Sequence, residues 1–209
     1  RIISDIETKI QAQLKYTATH LVGDLGAWHQ QHLQALSALA VVAARSDTAS
    51  VSDGKTTPRL DLLQQSTELT QRSFPDLRNI NVNNAIGTTI ASYPNTYEVG
   101  KYLTNFDINY KAGIEELKTT LQPFINEIQV YAASNPQQNS AALVTHVDLI
   151  VPVLVNRRFH GFTIGSLNVS DISQLLESNT YAQGLQITLI DQKKRIIASN
   201  QLNNKTMQG

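Results

Sequence analysis

"INVNNAIGTTIASY" (residues 80–93) and "ITLIDQKKRIIASN" (residues 187–200) are each an alternating apolar run, a polar turn and a second run ending in Ile-Ala-Ser. Period-two alternation on both sides of a short polar turn predicts a β-hairpin. The chain therefore carries the same hairpin twice, with Ile90 and Ile197 in equivalent places.

Upstream of the first copy the period is different. Over residues 3–44 the apolar positions Ile3, Ile6, Ile10, Leu14, Leu21, Leu25, Trp28, Leu36 and Leu39 recur at steps of three, four or seven without a proline between them. That predicts one amphipathic helix of about 40 residues, roughly 60 Å long, so one end is expected to act as a stalk or partner surface. A small, polar, turn-rich loop follows over 46–60. A second helix is predicted over 58–74, with Leu60, Leu62, Leu63 and Leu69 as its apolar stripe and Pro75 ending it.

Between the two hairpins the sequence predicts a loop, a helix over 108–121 closed by Pro123, and a strand over 124–134. A long strand over 142–155, a tight turn at "NRR", its hairpin partner over 159–169 and a short helix capped by Ser170 complete the run. The order is helix, helix, β-β, helix, β-β-β, helix: an α+β arrangement of five mainly antiparallel strands with helices on one face.

Composition narrows the function classes. Seventeen basic and seventeen acidic residues cancel without forming blocks, so the electrostatic footprint of a nucleic-acid binder is absent. The absence of cysteine excludes disulfides, Cys-based zinc sites and thiol catalysis. "ALSALAVVAA" and "LIVPVLV" are far shorter than the roughly 18 apolar residues a spanning helix needs. A start at Arg1 without methionine or signal peptide reads as a fragment of a longer product.

Four segments carry a family resemblance: "FPDLRNINVNNAIGTTIASYPN", "TLQPFINEIQV", "VDLIVPVLVNRRFHGFTIGSLNVSDISQLL" and "LQITLIDQKKRIIAS". Their order and spacing resemble the extracytoplasmic Cache sensor domains of bacterial receptors, over about residues 44–200. The resemblance implies a long N-terminal helix packed on a PAS-like five-stranded antiparallel sheet, followed by the first hairpin of a second PAS-like module. The implied divisions are a stalk helix (1–46), a membrane-distal Cache domain (47–178) and the partial start of a membrane-proximal one (179–209). With about nine residues after the second hairpin, that proximal module is expected to lack three strands. Departures from the family pattern fall at Gly113 and Ile114, which replace an aromatic pair, at Asn168, which replaces an aspartate, and at Lys194, which replaces a turn glycine.

Candidate site residues follow from alternation. On the long strand His146 and Asp148 share one face, as Ser166 and Asn168 do on the next. Polar groups in mid-strand demand partners. They form either a hydrogen-bonding patch on the concave side or a structural His146–Asp148 pair. The resemblance adds Tyr102, Asn109, Tyr110, Lys111 and Tyr131 as the roof of a ligand pocket, or alternatively as packing residues. His29 and His32 are neighbours on a helix face without a third ligand, and read as a solvated face rather than a metal site.

No nucleophile elbow, Walker loop or H-E-x-x-H motif occurs. The domain is thus expected to be non-enzymatic and to need no cofactor, with any kinase or cyclase output elsewhere in the full-length protein. The resemblance implies a small-molecule sensor of histidine-kinase type, outside the cytoplasm, membrane-anchored in full length and a homodimer through the N-terminal helix. Two rivals are a non-sensing dimerisation or interaction module on a helical stalk, and an enzyme with an unrecognised site.

Overall fold

The computed structural model describes residues 2–46, 58–103, 106–126, 129–133, 142–178, 188–190 and 196–199. Most of the loop expected over 46–60, the polar turn of the second hairpin with Lys194 and the side chain of Tyr131 lie outside the described residues. Contacts divide the chain into two units, Arg1–Gln31 with Ile172–Gly209, and His32–Asp171.

The unit His32–Asp171 holds the sheet. Its strands are β1 (Leu77–Asn84), β2 (Thr89–Tyr93), β3 (Phe124–Ile125), β4 (Gln129–Ala133), β5 (Ala142–Val155) and β6 (Arg158–Asn168). The order is β2-β1-β6-β5-β3, with β4 also on β5 and every pairing antiparallel. Because β3 and β4 share one edge of β5, the sheet has the five lateral positions predicted. The single strand expected over 124–134 is divided: Asn126 N still bonds Asp148 O at 2.8 Å, but its side chain is drawn to the Asn109 carbonyl at 3.0 Å.

Two helices cover one face of the sheet and a third lies over the other, so the helices are not confined to one face as the sequence predicts. From α1 (Ile2–Ala44), Leu36, Leu39, Ala40 and Ala43 are buried within this unit. Gly165 makes the approach possible, since a Cβ there would stand 2.9 Å from the side chains of Leu36 and Leu77. In α2 (Pro58–Ser73) the buried residues are Leu60, Leu63 and Thr67, while Leu62 and Leu69 are exposed. This corrects the predicted stripe, and the reason is geometric: positions 62 and 69 lie two turns apart on one side, opposite 60, 63 and 67. Thr67 satisfies its hydroxyl on the Leu63 carbonyl at 2.8 Å. Gln64 of α2 caps the edge strand β2, donating to Ser92 O at 2.8 Å and accepting from Ser92 N at 3.0 Å. Two backbone groups of an edge are thereby matched.

His32 departs from expectation. It is buried, 3.6 Å from Asp76 and edge-on to Phe74 at 5.5 Å between ring centroids, rather than on a solvated face. The helix turns that side toward the residues that follow α2.

The β5–β6 hairpin turns through Asn156 (φ 51°) and Arg157 (φ 60°), a two-residue turn with both central residues left-handed. Pro152 sits inside β5 without loss. The backbone groups of Asp148 point to the β3 edge, those of residue 152 point the same way by alternation, and β3 pairs no further than Ile150. At the far end, a bulge between Leu77 and Asn79 frees Arg78. Its guanidinium grips Asp171 with two bonds of 2.7 Å, which holds Arg78 above its usual pKa.

In the other unit α1 is buried at Thr17 and Leu21 but exposed at Ile3, Ile6, Ile10 and Leu14. The helix α4 (Val169–Ser178) begins one residue before Ser170, and Ile172, Ser173 and Leu176 are buried in it. The repeated hairpin is present as β7 (Thr188–Ile190) and β8 (Ile196–Ser199). It repeats the first down to register. Val82 pairs Ala91 as Leu189 pairs Ala198, and the ladder shifts after that rung in both, leaving Ile90 and Ile197 as the extra residues.

Gly161 (φ 155°) stands where an added Cβ would collide with the Asn83 carbonyl oxygen, and a backbone neighbour cannot swing aside. Gly161→Ala is expected to cost roughly 1–3 kcal/mol in urea denaturation; an unchanged midpoint would refute the close approach. Arg157→Gly is expected to gain about 1 kcal/mol by relieving a left-handed arginine, read by the same titration.

Candidate functional site

The face of the sheet opposite α1 is reached from Gly165 by alternation: if Gly165 looks at Leu36, then Ile164 and Ser166 look the other way. Three rungs cross this face. They are Asn79–Ser166–Asp148, Ser92–Asn81–Ile164–Ile150, and Thr89–Asn83–Phe162–Pro152. Over the apolar half lie the π-helical turn Phe106–Tyr110 and helix α3 (Lys111–Thr120). Phe106, Tyr110, Ile114 and Leu117 form one core there with Ile150, Phe162 and Ile164.

Asp148 is the centre of the polar half. Its side chain is 0% exposed, yet it is a carboxylate, so its oxygens need donors. Tyr110 Oη donates to Oδ2 at 2.7 Å and Ser166 Oγ to Oδ1 at 2.7 Å. His146 Nε2 lies 3.3 Å from Oδ2. The His146–Asp148 pair therefore exists, as one of the two sequence readings had it, within a larger group that includes Tyr110 and Ser166. The π-helical turn is what aims Tyr110 at this point, since an extra residue per turn re-directs the side chains after it. Residue 109 is tied to the same place: Asn126, bonded to Asp148 O through its N–H, donates its amide to Asn109 O.

The other predicted residues are placed as follows. Asn168 is half-buried and lies on the His146 rung. Tyr131 pairs Val144 through its backbone. Lys111 is exposed and 3.9 Å from Asp107. Tyr102 is half-exposed, edge-on to Phe106 at 5.3 Å between ring centroids, and its hydroxyl is harder to ionise than usual because of partial desolvation and the Asp107 charge. At Gly113, where the resembling family has an aromatic, the Phe124 ring from β3 occupies the space a side chain would take.

Sequence reasoning missed the asparagine row of β1. Asn79 Nδ2 donates to Asn81 Oδ1 at 2.6 Å, and Ser92 Oγ to the same atom at 2.7 Å. Asn81 Nδ2 donates to Glu98 Oε2 at 2.8 Å, and Asn95 N to Asn79 Oδ1 at 3.3 Å. The row pins the 95–98 segment over the hairpin. Its signal was visible as asparagines alternating with Ile80 and Val82, in a strand whose other face is apolar. Among the described residues no group of three or more His, Asp or Glu is placed to hold a metal ion.

No family model matches the chain, and no curated protein does either. Solved structures do. The sensory domain of the Campylobacter jejuni chemoreceptor Tlp3 (CcmL) with isoleucine bound is 13% identical, with a TM-score of 0.61 over 95% of this chain and 74% of that one. The V. cholerae histidine kinase DctB sensor domain is 16% identical, with a TM-score of 0.54 over 96% and 69%. An extracellular ligand binding receptor from Desulfohalobium retbaense DSM5692 is 16% identical, with a TM-score of 0.58 over 87% of this chain. The chain spans only 30% of that receptor's length. The chain shares the fold of these solved domains. No helix among the described residues is long and apolar enough to cross a membrane.

Tyr110→Phe removes one donor from the buried carboxylate and is expected to cost roughly 1.5–3 kcal/mol, with Ser166→Ala in the same range. Urea denaturation of each checks this. A loss under about 0.5 kcal/mol in both would show that these bonds do not hold Asp148.

Proposed function

We propose that the chain is the extracytoplasmic sensing part of a bacterial membrane receptor of the histidine-kinase kind, and that it binds a small organic solute on the sheet face that carries Asp148. The observation behind this is the Asp148 group itself. A carboxylate buried in a sheet is expensive to keep, and a structural need alone would be met by an apolar residue. Here it is held by hydroxyls from two different elements, β6 and the turn before α3. A ligand ammonium could take the place of the Tyr110 hydroxyl and bring the counter-charge, and Tyr110 would carry that event into α3.

The isoleucine bound to the Tlp3 domain supports an amino acid or amine as the first class to try. His146, Asn109, Asn168, Tyr131, Tyr102 and Lys111 complete the proposed set. The division into a distal module over 47–178 and a partial proximal one over 179–209 belongs to this reading, as does signalling by a shift between two helix arrangements. The exposed Ile3, Ile6, Ile10 and Leu14 favour assembly of two copies along α1 and are the specific support for the rival reading as an interaction module. The domain has no proposed catalytic residues and no proposed cofactor.

A thermal-shift screen of the twenty amino acids, simple amines and short carboxylates tests the proposal. A ligand at a hundredfold excess over its Kd stabilises by about 2.7 kcal/mol, a readily measured rise in Tm that Asp148→Asn is expected to abolish. If no compound in the screen raises the Tm, or if the rise survives Asp148→Asn, the assignment of the site fails.

A further inference from the structure

Asn83 is the polar group whose partners the fold leaves incomplete. It is 1% exposed. Its Oδ1 accepts from Thr89 Oγ1 at 3.0 Å, while Nδ2 has no hydrogen-bond partner among the described residues. Buried amides are almost always matched, so an unmatched donor in a well-packed sheet calls for an explanation. Every other asparagine of the row has a use for its Nδ2: Asn79 on Asn81, and Asn81 on Glu98.

The surroundings define what would match it. Asn83 stands directly across from Phe162 on β6, and directly opposed residues hold their Cβ atoms about 4.5–5.5 Å apart. The Phe162 ring is 6.2 Å from Phe106, which meets Tyr102 at 5.3 Å. Thus an aromatic row runs from the amide toward the half-exposed Tyr102. On the 95–101 segment, Glu98 accepts from Asn81, and the Lys101 ammonium lies over the Tyr97 ring at 5.2 Å. The charge bonded to this asparagine row is the Glu98 carboxylate, which disfavours a negatively charged ligand group.

The geometry points to Asn83 Nδ2 as a ligand-binding donor for an uncharged carbonyl, with the flat or branched apolar body of the same molecule against Phe162 and Phe106. This rests on the sensing reading above and names the ligand class for a second, separate place on that face. Asn83 lies two rungs and two strands away from Asp148, too far for one α-amino acid to touch both.

Acetophenone and ethylbenzene are the probes, equal in shape except for the carbonyl oxygen. The whole chain, labelled with 15N-asparagine, is titrated with each, and the Asn83 side-chain signals are assigned by their loss in Asn83→Leu. The expected result is that acetophenone shifts the Asn83 pair and binds about tenfold tighter than ethylbenzene, because a site with a buried donor discriminates against the analogue lacking an acceptor. Asn83→Leu is expected to equalise the two probes. If that variant does not fold, the assignment is made with Asn83→Ser and the wild-type titrations alone decide. Equal affinities, or an Asn83 pair shifted upfield by a ring in the free protein and unmoved by either probe, would overturn the inference. Amino acids or amines acting at Asp148 with Asn83 silent would overturn it while leaving the sensing reading intact. Silence of both sites toward every compound overturns both.

Discussion

The ladder between β5 and β6 is the constraint on which the rest depends. It runs unbroken from the His146–Asn168 rung to Val153–Gly161, and only then shifts before the turn. Both faces of this ladder are covered, so every side chain along it is committed to one of two environments. One side must admit α1, and that requires glycine at 165 where Leu36 arrives. The other side must admit α3, and there the ladder offers Ile150, Phe162 and Ile164 but also Asp148. A shift of one residue in register would exchange the two sets and put a carboxylate against the helices.

The polar side is therefore built as a set of exchanges between neighbours and not as isolated groups. Hydroxyls answer Asp148, amides answer amides along β1, and Glu98 terminates the row. Each exchange reaches a segment that is not itself in the sheet: the turn before α3 through Tyr110, the 95–98 segment through Asn79 and Asn81, and the β3 end through Asn126. Segments held by a few directional bonds over a rigid sheet can respond to a small molecule that takes over one of those bonds. Apolar packing of the same segments would be stable but indifferent to such a molecule.

The degree to which this was legible varies with the physics of each element. Both hairpins were legible because period two is a local property, and the echo extended as far as the bulge at Ile90 and Ile197. The α2 stripe was misread because leucine content was followed where angular position decides; Thr67, not Leu69, is buried. His32 was misread for a related reason: a helix does not announce which of its polar residues will meet Phe74 and Asp76 some forty positions later. The pairing of His146 with Asp148 needed only alternation, whereas Ser166 as their partner needed the register of two strands.

By itself the sequence determined the kind and order of elements, the zero net charge, the two-faced pattern of the long strand and the repetition of the hairpin. All of these depend on residue identity and spacing within a few turns or strand steps. Only the tertiary structure decided that Tyr110 reaches Asp148 across thirty-eight positions, that Phe124 fills the place left by Gly113, and that Asn83 keeps an unmatched donor while its neighbours do not. Those outcomes turn on register and on the close approach of segments distant in the chain. Such approaches are set by the whole packing at once, and no local spacing encodes them.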